Sequence, residues 1–156
     1  MYTFLLVLHS WLRWALVIVA VGATARAVAG WRGQRAWTAR DDQLGLALTI
    51  VMDLQIFVGL LLYLGFSPLT QAALRDFGAA MGSAALRFWA VEHVFGMVVA
   101  LALTHLGRAR SRRATEPAAR HRQAAIFFAL ATIVLLVTIP WPFTAVGARR
   151  PWLRLG

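Results

Sequence analysis

The chain alternates between long apolar blocks and shorter segments rich in arginine. The apolar blocks lie at residues 2–25, 44–66, 86–106 and 123–139. Each is close to the ~20 residues that an α-helix needs to cross a bilayer. The pattern therefore predicts an all-α fold, an integral membrane four-helix up-down bundle. Residues 1–156 are expected to form this single transmembrane domain.

Composition agrees with the membrane assignment and narrows the chemistry. The chain is 60% hydrophobic and has a mean hydropathy of +0.67, far above a soluble domain. It contains no cysteine, which excludes disulfides, thiolate metal sites and haem attached covalently through Cys-x-x-Cys-His. Any haem in this chain is therefore expected to be held non-covalently.

The formal charge of +10 comes from sixteen basic residues, all of them arginine. Because these arginines flank apolar spans, they indicate orientation in a membrane and no nucleic-acid partner. By the positive-inside rule, the connections after the first and third spans are cytoplasmic, both termini are periplasmic, and the membrane is the bacterial inner membrane. The first span is expected to be a retained helix and not a signal peptide. The arginines that carry this argument are Arg26, Arg32, Arg35 and Arg40, then Arg108, Arg110, Arg112, Arg113, Arg120 and Arg122, against Arg149, Arg150 and Arg154 in the tail.

Three connecting segments have their own predicted roles. Residues 67–85 have the pattern of a short amphipathic helix on the membrane surface, covering one end of the bundle. Residues 107–122 are expected to form a solvated, arginine-rich turn. Pro140 and Pro142 end the fourth helix, since neither residue has a backbone N–H for a continuing helix.

Two histidines interrupt the apolar spans at matching depth. His9 lies in the first span and His93 in the third, and at ~1.5 Å of rise per residue both are roughly 10 Å from the same side of the membrane. An ionisable side chain inside a bilayer is a candidate functional residue, and imidazole is a common axial ligand of haem iron. The pair predicts one haem b per chain, with His9 and His93 as iron ligands on diagonal helices.

Other residues near this depth are candidate cofactor contacts. Gly59 in the second span has no side chain and would allow a flat ring to approach the backbone, although glycine in membrane helices is more often a helix-packing contact. Arg75 and Arg87 are candidate partners for haem propionates, because guanidinium binds carboxylates in a bidentate manner. Arg13, four residues after His9 and on the same helix face, is a candidate for tuning the potential of the haem.

Charged residues within the spans predict a buried charge network. Arg13 and Asp53 are expected to pair near the middle of the membrane, and Glu92 lies immediately before His93. A pair that holds helices together is one explanation. A proton or quinone site is the other.

The remaining histidines are less favourable ligands. His105 is twelve residues after His93, a rotation of about 120° from the same face, and it lies beside the arginine-rich boundary. A second haem there would need a non-histidine partner. His121 is expected to lie in the polar loop.

Several short motifs resemble a family of small bacterial four-helix membrane proteins commonly labelled cytochrome b. They are the runs LHSWLRW at residues 8–14, LQ at 54–55 with Gly59 and Tyr63, VEH at 91–93, GR at 107–108 and IPWPF at 139–143. The resemblance implies a four-helix membrane fold and a b-type haem. Members can carry histidine at the position of Asp53, so this chain departs from that pattern in the second helix.

These observations favour a membrane b-type cytochrome that carries electrons to or from quinone or a neighbouring redox protein, an electron-transfer oxidoreductase or redox subunit. The alternative is a cofactor-free accessory subunit of a larger respiratory or photosynthetic complex, with its apolar faces against partner subunits. A proton or small-substrate transporter using Asp53 and Glu92 is less favoured, because four helices enclose little pathway. Membrane lipid, other membrane subunits or a homo-oligomer are the expected partners.

Overall fold

A computed structural model describes residues 1–148 and 150–154 of the protein. Arg149, counted above among the arginines of the tail, lies outside the described residues, as do the last two residues. The helices are α1 (Tyr2–Arg32), α2 (Ala39–Leu61), α3 (Pro68–Arg75), α4 (Phe77–Gly82), α5 (Ala84–Arg87), α6 (His93–Arg113) and α7 (Pro117–Thr138), with π-helical turns at Leu62–Phe66 and Phe88–Glu92.

Four of these helical stretches are long and apolar enough to cross a membrane. They are Tyr2–Arg32, Ala39–Phe66, Ala84–Arg113 and Pro117–Thr138. The α1 helix packs along α2 and α7, and α6 packs along the same two helices. The prediction of an all-α four-helix membrane bundle is confirmed, with α1 and α6 on one diagonal.

Small residues let the helices approach closely. Ala20, Ala100 and Ala124 are almost fully buried among the large core side chains. Between α1 and α7, the Oγ1 atoms of Thr24 and Thr132 form a hydrogen bond of 3.0 Å. Membrane helices associate through such close packing and interhelical hydrogen bonds, because lipid removes most of the hydrophobic drive for helix association.

Local interactions and a proline determine where α2 and α7 begin. The Thr38 backbone N–H donates to Asp41 Oδ2 at 2.8 Å in a capping box at the start of α2, and Asp41 also accepts from Arg26 at 2.7 Å. Pro117 occupies the first turn of α7, where its missing N–H has no helical partner to lose. The arginine-rich ends of the helices are therefore capped or paired.

Two predictions about the connections are wrong. The segment 107–122 is not a loop, because α6 continues through its arginines to Arg113 and α7 begins at Pro117; arginine is a good helix former. His121 is consequently a helical residue and only 1% exposed. The segment 67–85 does contain a short helix, α3, and two further helices, α4 and α5, follow it because Asp76 and Ser83 cap new helix starts.

The buried His121 predicts a strict size limit at Gly30. A Cβ atom at Gly30 would collide with the His121 imidazole, which is itself packed on Trp37 with ring centroids 4.9 Å apart. Gly30→Ala is therefore expected to lower the free energy of unfolding by about 1–3 kcal/mol, the usual effect of overpacking. Unfolding in detergent micelles, followed by circular dichroism, measures this change.

Gly22→Ala is the matched control. Gly22 is in the same helix, and a Cβ there has no atom within 4 Å. We expect the free energy of unfolding of this variant to equal that of the wild type or to exceed it slightly. Equal destabilisation by both substitutions would mean that contact with His121 does not limit the size of residue 30.

Candidate functional site

The bundle encloses a cavity of about 300 Å³ at the end where α1 begins, within the usual size range of ligand and cofactor pockets. Both membrane-buried histidines line it, and we call it the histidine cavity. Its walls are mostly apolar, and polar groups enter from α1, α2, α6 and the C-terminal tail. The lining residues used below are His9, Arg13, Gln55, Gly59, Trp89, His93, Arg150 and Arg154.

The structure brings His9 and His93 together across this cavity. Their ring centroids are 6.4 Å apart and their planes are inclined by 71°. Two imidazoles on opposite sides of one metal ion, each with a metal–nitrogen bond of ~2 Å, have centroids roughly 6 Å apart. The observed separation is therefore suited to a shared central atom.

His93 is oriented by the end of α7. Its Nδ1 lies 3.0 Å from the carbonyl oxygen of Thr138, which can only accept a hydrogen bond. The Nδ1 atom therefore carries the proton, and the lone pair of Nε2 is left available. A second hydrogen bond of this kind is typical of metal-binding imidazoles.

The two prolines after α7 explain why the Thr138 carbonyl is available. A helical carbonyl accepts from the N–H four residues later, and the residues four after Leu136 and Thr138 are Pro140 and Pro142, which have no N–H. The freed Leu136 carbonyl accepts from Trp141 Nε1 at 2.7 Å, and the freed Thr138 carbonyl accepts from His93.

Glycine allows α7 to reach His93. A Cβ at Gly96, one turn after His93, would lie only 2.5 Å from Thr138 Oγ1. The absence of that side chain lets α6 and the end of α7 approach until the Thr138 carbonyl meets the imidazole. Gly96 is therefore a helix-packing contact between α6 and α7.

His9 is held by α2. Its Nε2 lies 3.1 Å from the side-chain amide nitrogen of Gln55; in this orientation of the amide, Nε2 accepts and Nδ1 carries the proton. A Cβ at Gly59 would lie 3.2 Å from Cε1 of His9. The flat ring that approaches Gly59 is thus the His9 imidazole.

Two buried atoms in this contact lack a hydrogen-bond partner, namely His9 Nδ1 and Gln55 Oε1. With the side-chain amide turned by 180°, Oε1 would accept from Nε2–H, and the lone pair of Nδ1 would be left without a partner. Unsatisfied buried groups are unfavourable in a low-dielectric interior. A ligand in the cavity that engages one nitrogen of His9 would resolve this imbalance.

Two π-helical turns surround His93. The Tyr63 hydroxyl in the first turn donates to the Ala90 carbonyl in the second at 2.8 Å. The second turn ends immediately before His93 and places the rings of Phe88 and Trp89 against the imidazole, with centroids 5.7 and 5.5 Å away. Such local widening of a helix is frequent at functional sites.

The C-terminal tail crosses the mouth of the cavity and is fixed to α1. The Trp152 carbonyl accepts from Arg13 Nη2 at 2.6 Å and from Trp14 Nε1 at 2.9 Å. The Arg154 carbonyl accepts from Trp11 Nε1 at 3.1 Å. These three side chains come from the LHSWLRW run, so this run both supplies His9 and binds the tail.

Three guanidinium groups converge on the cavity: those of Arg13, Arg150 and Arg154. Within residues 1–148 and 150–154, no side-chain carboxylate forms an ion pair with any of them. Burial lowers the pKa of Arg150 below its ordinary value, but arginine stays charged in proteins. The cavity mouth is therefore a cationic site suited to carboxylate or phosphate.

The predicted Arg13–Asp53 pair is wrong. Asp53 accepts from His105 Nε2 at 2.8 Å, and Glu92 pairs with Arg87 at 2.7 Å. Helical rotation explains the outcome, since Asp53 is two residues from Gln55 and therefore about 200° away from the cavity face. The charged residues expected to form one network belong to three separate contacts.

The arginines of the surface segment lie elsewhere. Neither Arg75 nor Arg87 is among the residues that line the cavity, and the Arg87 guanidinium also donates to the Met81 carbonyl at 3.2 Å. Arg150 and Arg154 occupy the cavity mouth instead. Their signal in the sequence is positive charge in a short tail, a feature that the positive-inside rule relates only to orientation.

The donor set limits which metal group would fit. Among the described residues, no group of three or more His, Cys, Asp or Glu side chains is arranged to hold a metal ion. A porphyrin supplies the equatorial nitrogens itself and needs only axial ligands from the protein. Two imidazoles, apolar walls and a cationic mouth fit a haem better than a bare ion.

The fold and the site define a class, a multi-pass four-helix membrane protein with a histidine-lined cavity whose mouth is lined by its C-terminal tail. Comparison with protein families, with curated proteins and with solved structures gives no match.

Trp14→Phe tests the attachment of the tail. The substitution keeps an aromatic ring and removes the N–H that donates to the Trp152 carbonyl. One lost hydrogen bond of ~1 kcal/mol should raise the rate of trypsin cleavage within the tail roughly fivefold when cleavage follows local opening. Mass spectrometry of reconstituted protein measures this rate.

Trp31→Phe is the control, because Trp31 lies in the last turn of α1, at the opposite end of the bundle. Its cleavage rate should equal that of the wild type. If Trp14→Phe is cleaved at the wild-type rate, the indole does not hold the tail.

Proposed function

We propose that this protein is a membrane b-type cytochrome, in which His9 and His93 hold one haem b within the histidine cavity. The observation that carries the proposal is the pair of imidazoles on diagonal helices, with ring centroids 6.4 Å apart. The fixed proton on His93 Nδ1, which leaves Nε2 free to bind iron, supports it. We further propose membership of the small bacterial four-helix family labelled cytochrome b, on the motifs quoted above.

A bound haem would supply one-electron chemistry. The residues of this chain would set its potential and its orientation. Thr138 and Gln55 fix the imidazole planes through hydrogen bonds. Arg13, Arg150 and Arg154 would bind the propionates, and their positive charge favours the reduced state, which raises the reduction potential. Trp89, beside His93 and 4.3 Å from the Arg150 guanidinium, lines the cavity.

The proposed role is electron transfer with quinone or with a neighbouring redox protein in the bacterial inner membrane. The arginine-rich ends of α1 and α6 would face the cytoplasm and both termini the periplasm, following the positive-inside rule. The histidine cavity would then open toward the periplasmic side. Electron exchange would occur at this end of the bundle, where the tail separates the cavity from solvent.

The absorbance spectrum tests this proposal. Protein purified under haem-sufficient conditions should show a sharp α-band after reduction with dithionite, with about one haem per chain. His9→Ala and His93→Ala should each lose the bis-histidine spectrum, because either change removes one axial ligand. Pyridine haemochrome assay of the purified variants gives the haem content.

His105→Gln is the matched control, since His105 is a span histidine outside the cavity. It should keep the wild-type spectrum. A wild-type protein without the band would refute the cytochrome proposal and favour the cofactor-free accessory subunit. A band that survives loss of both His9 and His93 would leave the cytochrome class standing and overturn the ligand assignment.

The cationic mouth gives a second test. Arg150→Gln and Arg154→Gln should each weaken haem binding roughly tenfold, because each removes a charge-assisted hydrogen bond to a propionate. Titration of haem into apoprotein, followed by absorbance, measures the dissociation constant. Arg75→Gln is the control and should leave it unchanged. Equal weakening by Arg75→Gln would assign the propionates to the surface segment.

A further inference from the structure

A second polar feature lies outside the histidine cavity. His105 Nε2 donates to Asp53 Oδ1 at 2.8 Å, and about half of each side chain is exposed (51% and 52%). Neither residue lines the cavity. The pair therefore sits on the outer surface of the bundle, where α2 and α6 lie side by side.

This surface lies within the membrane-spanning length of the helices. Asp53 is nine residues after the start of the apolar block at 44–66, about 14 Å along its axis. An aspartate side chain is too short to reach a headgroup region from that depth, unlike the long side chains of lysine and arginine. In a monomer, the carboxylate would face hydrocarbon.

The other outward faces of the bundle differ from this one. The exposed large side chains in the middle of α1 and α7 are apolar, whereas Asp53 and His105 lie within the α2–α6 face. The apolar set on α1 and α7 comprises Ile18, Val21, Ile126, Leu130, Ile133 and Val137. Ionisable residues in spans normally face a bundle interior, a cavity or another polar group. A contacting protein surface would restore that arrangement here.

The free hydrogen-bond donors and acceptors of the Asp53–His105 pair indicate which protein surface could pack against it. A carboxylate only accepts, so His105 Nε2 is the donor in the observed bond. Because an uncompensated charge is unfavourable inside a membrane, the pair is expected to carry no net charge, which leaves Nδ1–H as one donor and Asp53 Oδ2 as one acceptor. A two-fold axis through this face would match the donor of each chain to the acceptor of the other. The pair is thus complementary to itself and neutral overall.

The surroundings are suited to helix packing. On α2, the exposed positions around Asp53 recur every three or four residues and carry Leu46, Ile50 and Phe57. On α6, the same spacing relates His105 to Phe95, Val98 and Ala102. Apolar stripes with one polar position are typical of helix interfaces whose register is fixed by a polar contact.

We propose that a second copy of this chain packs against the α2–α6 face, so that two Asp53–His105 pairs hydrogen-bond to each other across a two-fold axis. The contact is isologous, which is the commonest arrangement of a homodimer. It leaves the histidine cavity of each copy intact, so the dimer does not depend on haem binding. Each buried polar atom of the pair then has a partner inside the membrane.

Cysteine cross-linking tests this proposal directly, because the chain contains no cysteine of its own. Leu46→Cys, Ile50→Cys and Phe57→Cys are introduced singly into protein reconstituted at low protein-to-lipid ratio and oxidised with copper phenanthroline. We expect at least one of them to give a disulfide-linked species of twice the 17.2 kDa chain mass. Gel electrophoresis with and without reductant identifies it.

Ile18→Cys and Ile133→Cys are the controls, since they are exposed on α1 and α7 and should cross-link only at the level of random collision. If all three α2 variants cross-link no better than these controls, the proposal is overturned. A disulfide-linked species of a different mass, formed only in native membranes, would assign the face to a different subunit and also overturn the proposal.

The polar pair itself is tested by Asp53→Leu combined with His105→Leu. Loss of the interchain hydrogen bonds should lower the association constant roughly tenfold, as expected for hydrogen bonds between helices in a membrane. Single-molecule photobleaching in liposomes measures it, and circular dichroism checks folding. A folded variant that dimerises as well as the wild type would show that the pair does not form the contact.

Discussion

The hydrocarbon of a membrane offers no hydrogen-bond partners, and this constraint determines how the polar groups of the structure are arranged. Every polar group inside the spans must find its partner within the protein, and the two imidazoles of the histidine cavity illustrate how. His93 uses a helix carbonyl and His9 uses a side-chain amide. These bonds fix both rings on opposite sides of the bundle, which keeps the space between them open and polar at its edges.

The backbone supplies one of these partners because of two prolines. Pro140 and Pro142 do more than end α7, since they release two carbonyls that then bind Trp141 and His93. Helix termination and site geometry therefore share one cause. Gly96 also contributes to the site geometry, because it allows α6 and the end of α7 to approach closely. A substitution at any of these positions would therefore alter the orientation of the His93 ring.

The sequence predicted the spans, the diagonal placement of α1 and α6, and the proximity of His9 and His93, because all three follow from hydrophobic periodicity and helix rise. It did not predict which polar side chains meet. Asp53 pairs with His105 and not Arg13, since a two-residue offset on a helix changes the face entirely. His121 was misplaced because arginines beside it suggested solvent, although they continue the helices α6 and α7.

The distribution of charge separates two uses of arginine in this chain. Near the arginine-rich ends, Asp41 and Asp42 accompany Arg26, Arg108 and Arg112, and those contacts hold helix ends together. At the opposite end, the guanidinium groups of the cavity mouth have no such side-chain partner among the described residues. Positive charges gathered without compensation repel one another and destabilise the free protein. The proposed haem, with its anionic propionates, would relieve this repulsion on binding and would bind more tightly because of it.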